Sequence, residues 1–304
     1  MAADRVAVLL MAYGGPANLE DVAPYLEDVR GGRPATPQFV AEVTARYARI
    51  GGRSPLRELT EAQAAAVGRA LGERFPVYVG MRHWHPYIAA TVDRIVDDGH
   101  RRVVGIVLAP HYSAMSVGAY EQKLLAAVHG RLETALVRSW STHPQFLQAV
   151  AGRVTQALQR FPVPCAVQVL FTAHSLPERI VAAGDPYADE LATSAQAVAR
   201  LVGLSAWHVA YQSAGAMPEP WLGPDAGTVM TELAARGEQA FLIVPIGFVS
   251  DHVEVLYDVD VKYRELAARL GVRLERTQSL NDDPLLAEAL ADIARTSAAE
   301  RGWP

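Results

Sequence analysis

Three observations predict an α/β fold built on two parallel sheets. Short, continuously apolar runs alternate with segments of helical period along all 304 residues, as strand–helix–strand units require. The runs divide evenly, four to each half of the chain. The two halves also repeat each other's order and some of each other's motifs, as an internal duplication would.

Taken in order, the predicted strands are 5–12, 76–80, 102–109 and 134–140 in the first half, and 166–173, 206–212, 239–247 and 271–277 in the second. Strands buried on both faces of a parallel sheet read as unbroken apolar runs, as 6–12, 103–109 and 240–247 do. Helix ends are legible between them. Thr36 followed by Pro37 is a cap with proline at the first helical position, Gly51 closes that helix, and Asp283-Pro284 opens the last one. Over 145–161, Phe146, Val150, Val154, Leu158 and Phe161 form an apolar stripe with charges opposite.

The repeat is visible in the motifs. Ala12-Tyr13-Gly14-Gly15-Pro16 ends the first strand of one half and Ala173-His174-Ser175-Leu176-Pro177 ends the first strand of the other. Ser113 precedes Tyr120 by the interval that separates Ser250 from Tyr257. Duplication therefore places Tyr13 and His174 at corresponding strand ends, and two facing domains would line one cleft with them. The boundary falls near residue 140, giving domains 1–140 and 141–304, with the possibility left open that the last helix packs back on the first domain.

Composition excludes several functions. A net charge of −5 with no Lys/Arg-rich block leaves no electrostatic footprint for nucleic acid. The single cysteine, Cys165, makes neither an internal disulfide nor a cysteine zinc site nor an iron–sulfur cluster, which fits a reducing compartment. No stretch approaches the ~18 apolar residues of a membrane span, and no cleavage-site pattern follows the first apolar run. A cytoplasmic protein without an integral membrane segment is expected.

Candidate chemistry starts from His174, whose imidazole should emerge at the carboxyl edge of a sheet, where ligands bind in open α/β folds. A helix starting near Ser250 would stack Asp251, Glu254 and Asp258 on one face at i, i+3 and i+7. Spacing alone fits a solvated acidic face equally well; the preceding apolar strand is what favours a site. His174 with Glu254 can bind a divalent metal or accept protons while leaving most of a coordination sphere open. On that helix His252, two before Glu254, points elsewhere. His83 and His85 follow a strand and could reach the cleft, whereas His100, His129, His143 and His208 read as surface or core residues without partners. No Gly-x-Ser-x-Gly elbow accompanies Ser175, and Tyr13-Gly14-Gly15-Pro16 lacks the later glycine of a dinucleotide fingerprint. Arg30, Arg33, Arg46 and Arg53 form a local guanidinium excess suited to an anionic ligand, or equally to a solvated surface.

These stretches converge on a family. Met11-Ala-Tyr-Gly-Gly-Pro16, Gly51-Gly-Arg-Ser-Pro-Leu56, Leu108-Ala-Pro-His-Tyr-Ser113, Ala173-His-Ser-Leu-Pro177, Tyr211-Gln-Ser213, Pro220-Trp-Leu-Gly-Pro224 and Gly247-Phe-Val-Ser-Asp-His-Val-Glu-Val-Leu-Tyr-Asp258 resemble ferrochelatase from residue 6 to about 290. The resemblance implies two Rossmann-like, chelatase-type domains with a porphyrin cleft between them. It also implies insertion of Fe(II) into a porphyrin with release of two protons, in haem biosynthesis. Tyr13 and the segment Gln212 to Pro224 resemble the coproporphyrin III branch. Carried over residue by residue, His174 and Glu254 become the metal and proton-handling pair, with Asp251 and Asp258 leading protons away from Glu254. Tyr13 becomes the residue on the opposite side of the macrocycle, and Arg30, Arg46, Tyr47, Ser54 and Tyr120 hold the porphyrin and its propionates. Iron is then a substrate, and no prosthetic group or iron–sulfur cluster is expected. A monomer is expected, open to transient contact with neighbouring haem-pathway enzymes. Two departures stand out: Gly31 where relatives often carry a second arginine, and Lys262 where they carry an acid. The alternatives are a protoporphyrin IX ferrochelatase, a cobalt or nickel tetrapyrrole chelatase, and a non-catalytic haem or porphyrin carrier.

Overall fold

The apolar runs become the strands of two parallel sheets in the computed structural model, which describes residues 5–163, 166–215 and 218–303. All eight predicted strands form, in two sheets of the same order, and the chain divides into two units, one sheet in each. Cys165 and the Ala216-Met217 pair of the Gln212 to Pro224 motif lie outside the described residues.

The first unit gathers the chain up to Ala109, then Ala114–Trp140, then everything from Asn281 on. Its strands are β1 (Ala7–Ala12), β2 (Val77–Met81), β3 (Arg102–Val107) and β4 (Glu133–Val137), ordered β2-β1-β3-β4. Every residue of β1 is buried, which is why the sequence there carries no polar side chain. The helices are α1 (Val22–Val29), α2 (Pro37–Arg49), α3 (Leu56–Leu71), α4 (Ile88–Asp97) and α5 (Val117–Val128). Thr36 caps α2 as expected, its hydroxyl accepting from Phe39 N at 3.3 Å. The C-terminal helix Pro284–Glu300 belongs to this unit as well. The Arg295 guanidinium donates to the Ala70 carbonyl, Gln63 Nε2 donates to Asn281 O at 2.8 Å, and the Trp303 indole donates to Glu133 at 3.3 Å.

The second unit comprises Pro110–Ser113 and Ser141–Leu280. Its strands β5 (Gln168–His174), β6 (Trp207–Gln212), β7 (Ala240–Val244) and β8 (Arg273–Arg276) lie in the order β6-β5-β7-β8. Thus β1 and β5 take equivalent places in their sheets, with Tyr13 following the one and His174 ending the other. The helices are α6 (Pro144–Leu158), α7 (Arg179–Ala182), α8 (Tyr187–Val202), α9 (Ala226–Ala235), α10 (Val253–Leu256), a π-helical turn (Asp258–Tyr263) and α11 (Arg264–Leu270). On α6 the predicted stripe is buried at Phe146, Val150 and Val154, and Phe161 follows it inward just past the helix end.

The short stretch Pro110–Ser113 is fastened onto α8. His111 is fully buried, and its Nε2 donates to Ser194 Oγ at 2.6 Å, because that hydroxyl spends its own hydrogen on Glu190 O. Tyr112 N donates to Glu190 Oε2 at 2.8 Å. Burial pushes the His111 imidazole down to about 3, so it serves as a neutral peg. Among the described residues no helix is long and apolar enough to cross a membrane.

Candidate active site

His174 ends β5, the second strand of its sheet, with its backbone paired to Gln212 of β6. Its Nδ1–H donates to the Ser175 carbonyl oxygen, leaving Nε2 as the nitrogen that exchanges a proton or meets a metal. Nε2 lies 3.4 Å from Glu254 Oε1. The other Glu254 oxygen is 3.7 Å from His252 Nε2, so the carboxylate stands between two imidazoles.

Close backbone approach brings Glu254 there. After β7 the chain passes so near β5 that a Cβ on Gly247 would sit 2.5 Å from Ala173 Cβ, while Gly247 N donates to Thr172 O at 3.1 Å. Gln212 then ties the segment down. Its Nε2 donates to Glu254 O at 2.6 Å, and its Oε1 accepts from Thr172 Oγ1 at 2.8 Å. The next residue, Ser213, adopts a left-handed backbone (φ 59°), a conformation that disfavours any side chain, and its hydroxyl donates to Asp258.

The electrostatics follow from this packing. Burial alone would push the His174 imidazole down, but the Glu254 charge and hydrogen bond overcome it and hold it up at about 9. Burial would likewise push Glu254 up; His174 first, then His252, hold it far below the usual carboxylate range. At neutral pH the pair is therefore an imidazolium facing a carboxylate. One exchangeable proton sits on Nε2.

The other predicted residues lie in the first unit. Tyr13 follows β1, and His83 N donates back to its carbonyl at 2.9 Å, which fixes the strand end. The Tyr13 ring lies 4.7 Å from the His83 ring, and the Arg82 guanidinium lies 5.7 Å from the Tyr13 ring and 5.3 Å from the buried Tyr120 ring. Arg82 thus joins Tyr13 to Tyr120. His83 is pinned by Asp28 at 2.7 Å, and burial lowers its affinity for a proton. Tyr47 and Ser54 are buried beside the Gly14-Gly15 turn: a Cβ on Gly15 would meet Ser54 Oγ at 2.5 Å and Tyr47 Oη at 3.6 Å. Arg30 and Arg46 hold their side chains at the surface. Arg30 and Arg33 each donate from Nε to the other's carbonyl, at 3.3 and 3.1 Å, across the Gly31-Gly32 bend.

A ferrochelatase family model matches residues 5–298. The chain belongs to the ferrochelatase family. It is 44% identical over 298 residues to the ferrochelatase of Herpetosiphon aurantiacus, covering 95% of this chain and 98% of that one. It is 38% identical over 312 residues to the coproporphyrin III ferrochelatase of Geobacillus kaustophilus, covering 99% of both. Among solved structures, the sirohydrochlorin chelatase SirB of Bacillus subtilis in complex with cobalt superposes with a TM-score of 0.61. The match covers 98% of this chain and 97% of that one. At 10% identity it shows a shared fold and nothing of substrate.

Within this ferrochelatase, four expectations need correction. The helix near Ser250 does not form: His252 is extended (φ −160°, ψ −179°), and helix starts only at Val253. Asp251 therefore leaves the helical face it was expected to share with Glu254 and faces Arg276 at 3.2 Å. His252 does not point away, because residues two apart on extended backbone share a side, which turns it toward Glu254. His208, expected to have no partner, has one in Gln168 at 3.0 Å.

Sequence reading missed Arg82, Asp28, Gln212 as a tether, and Arg276. Asp28 and His83 are 55 residues apart, and spacing carries no signal for such a pair. Gln212 had one, since it lies in a motif after a predicted strand.

Proposed function

We propose that this ferrochelatase inserts ferrous iron into coproporphyrin III, and that His174 with Glu254 handles the metal and the protons. The observation that carries the site assignment is the 3.4 Å approach of His174 Nε2 to Glu254, at a strand end that a family model spanning residues 5–298 also covers. Insertion exchanges two pyrrole N–H protons for one divalent ion, so the site must take up protons as metal arrives. In the resting pair Nε2 is already protonated and Glu254 is ionised. A metal ion that binds Nε2 must expel that proton, and its own charge then replaces the imidazolium beside Glu254. A pyrrole proton finds its acceptor in Glu254 or in a deprotonated His174, and Asp258, held by Ser213, is the next carboxylate along the segment.

Support for coproporphyrin comes from relatives and from charge. Relatives named coproporphyrin III ferrochelatase reach 38% identity over almost the whole chain. Coproporphyrin carries a propionate on every pyrrole ring, protoporphyrin on only half of them. Arg30, Arg33 and Arg46, with exposed guanidiniums, and the buried hydroxyls of Tyr47 and Ser54 are donors for carboxylates.

The test is anaerobic addition of ferrous or zinc ion to purified protein with either porphyrin, followed by the visible absorption bands. Metalloporphyrin should form, with kcat/KM for coproporphyrin III at least about tenfold higher, a difference of ~1.4 kcal/mol in transition-state binding. Absence of metalloporphyrin would sink the metal-insertion reading. Equal kcat/KM for the two porphyrins would sink only the coproporphyrin assignment.

A further inference from the structure

The segment that carries Glu254 is held in an uncommon shape by one buried guanidinium. A π-helical turn has poorer hydrogen-bond geometry than an α-helix and persists where tertiary contacts select it. On its inner side Val259 and Tyr263 are buried among Leu170, Phe241 and Ile243, and Tyr263 Oη donates to Asp225 at 3.0 Å. On its outer side stands Arg276, the last residue of β8, with only 12% of its side chain exposed.

Arg276 is saturated with acceptors. Nε and Nη2 fork onto the two oxygens of Asp260 at 2.9 and 2.8 Å. Nη1 reaches Asp251 Oδ1 at 3.2 Å, Thr277 O at 3.0 Å and Ser279 Oγ at 3.4 Å. Ser279 Oγ donates to the same Asp251 oxygen at 2.7 Å. One side chain thus links a carboxylate before Glu254 to a carboxylate after it.

A plain helix could not be held this way. Asp251 and Asp260 are nine positions apart, two and a half turns at 3.6 residues per turn, so on a continuous α-helix they would face opposite directions. The extended His252 and the π turn bring both to one side, where a single fork reaches them. Those same two irregularities set where Glu254 leaves the backbone.

We infer that Arg276 is a positioning residue for metal insertion: by joining Asp251 to Asp260 across the π turn, it fixes the register that holds Glu254 against His174. The inference rests on the reading of His174 and Glu254 as the metal and proton-handling pair. Lysine cannot replace it, since an ammonium lacks the planar fork that spans two carboxylates.

The experiment compares wild type, Arg276→Met, Arg276→Lys, Asp260→Asn and Arg160→Met in anaerobic ferrous-iron insertion into coproporphyrin III, with thermal unfolding of each. Arg160 pairs with Glu275, the neighbour of Arg276, and serves as a control for simply disturbing β8. Arg276→Met should lower kcat/KM for the metal about 10- to 100-fold, the usual effect of losing a residue that orients a ligand, with KM for the porphyrin within about twofold. Arg276→Lys should regain thermal stability but not rate, Asp260→Asn should fall between, and Arg160→Met should match wild type. The inference is overturned if Arg276→Met keeps its metal kcat/KM, or if Arg276→Lys restores rate and stability together. Loss of apparent kcat in proportion to the folded fraction, with both KM values unchanged, would also overturn it. Should Arg276→Met fail to fold, a fully active Asp260→Asn would overturn it as well. A wild type that forms no metalloporphyrin defeats the underlying reading and this inference with it; inert substitutions in an active enzyme defeat the inference alone.

Discussion

Replacing Glu254 by glutamine should move the His174 imidazole from about 9 to below its ordinary 6.5. The direction follows from what remains. Without the carboxylate, burial dominates, and only the Ser175 carbonyl and the more distant Asp258 still favour the cation. At ~1.4 kcal/mol per pH unit, the interval from 6.5 to about 9 corresponds to about 3 kcal/mol of coupling net of the burial that opposes it. The two side chains are 32% and 31% exposed, so solvent screening reduces this to about 1–2 kcal/mol. The sign is set by a raised histidine: the coupling is fully present below pH 6.5 and disappears as pH rises through about 9. Wild type should therefore exceed Glu254→Gln in stability most between about pH 5 and 6.5, with the gap closing near pH 10. Ring-proton NMR titration of the metal-free protein resolves the nine histidines, and His174→Gln assigns the signal. A His174 signal that titrates at or below 6.5 in wild type, or one unmoved by Glu254→Gln, would refute the pairing.

Three further outcomes are expected. His174→Ala should slow metalloporphyrin formation about 10²- to 10⁴-fold at unchanged fold, by circular dichroism and initial rates; undiminished turnover would count against its role. Gly247→Ala places a methyl 2.5 Å from Ala173 Cβ and should cost about 1–3 kcal/mol in denaturant unfolding, with a parallel loss of activity as β5 shifts under His174. Tyr263→Phe, which removes the 3.0 Å hydrogen bond to Asp225, should cost about 1 kcal/mol with little change in rate.

What could be read from the sequence was whatever depends on chain-local chemistry. Parallel strands buried on both faces announce themselves as apolar runs, so β1, β5 and β7 were legible, as were the caps at Thr36 and Asp283. His174 was legible for the same reason, standing one residue past such a run. The shape of 250–263 was not. Its extended His252, four-residue helix and π turn are selected by contacts from far along the chain: Arg276, Asp225, and Gln212 on β6. A helical wheel drawn through that stretch gave Glu254 its place by luck of position and misplaced both Asp251 and His252. The Tyr13 surroundings were hidden likewise, because Arg82 and Tyr120 meet only once β2 and α5 have packed.

The acidic stretch around Glu254 is best understood by asking what each carboxylate is given as a counterpart. Asp251 and Asp260 share Arg276, a permanent cation with little exposure. Asp258 is given a neutral hydroxyl, Ser213, held in place by a strained backbone. Glu254 is given two imidazoles, His174 at 3.4 Å and His252 at 3.7 Å, and an imidazole, unlike a guanidinium, can give up its proton. The four acids therefore fall into two fixed by an arginine, one bonded by a hydroxyl, and one set between two imidazoles. Lys262 does not disturb that division, since its ammonium lies 5.5 Å from the Tyr263 ring and lines a separate pocket with Thr228, Glu232 and Arg269. A site that must bind a dication and then release it gains from this arrangement: one carboxylate with a removable counterion attracts metal strongly, while a row of free carboxylates would retain it.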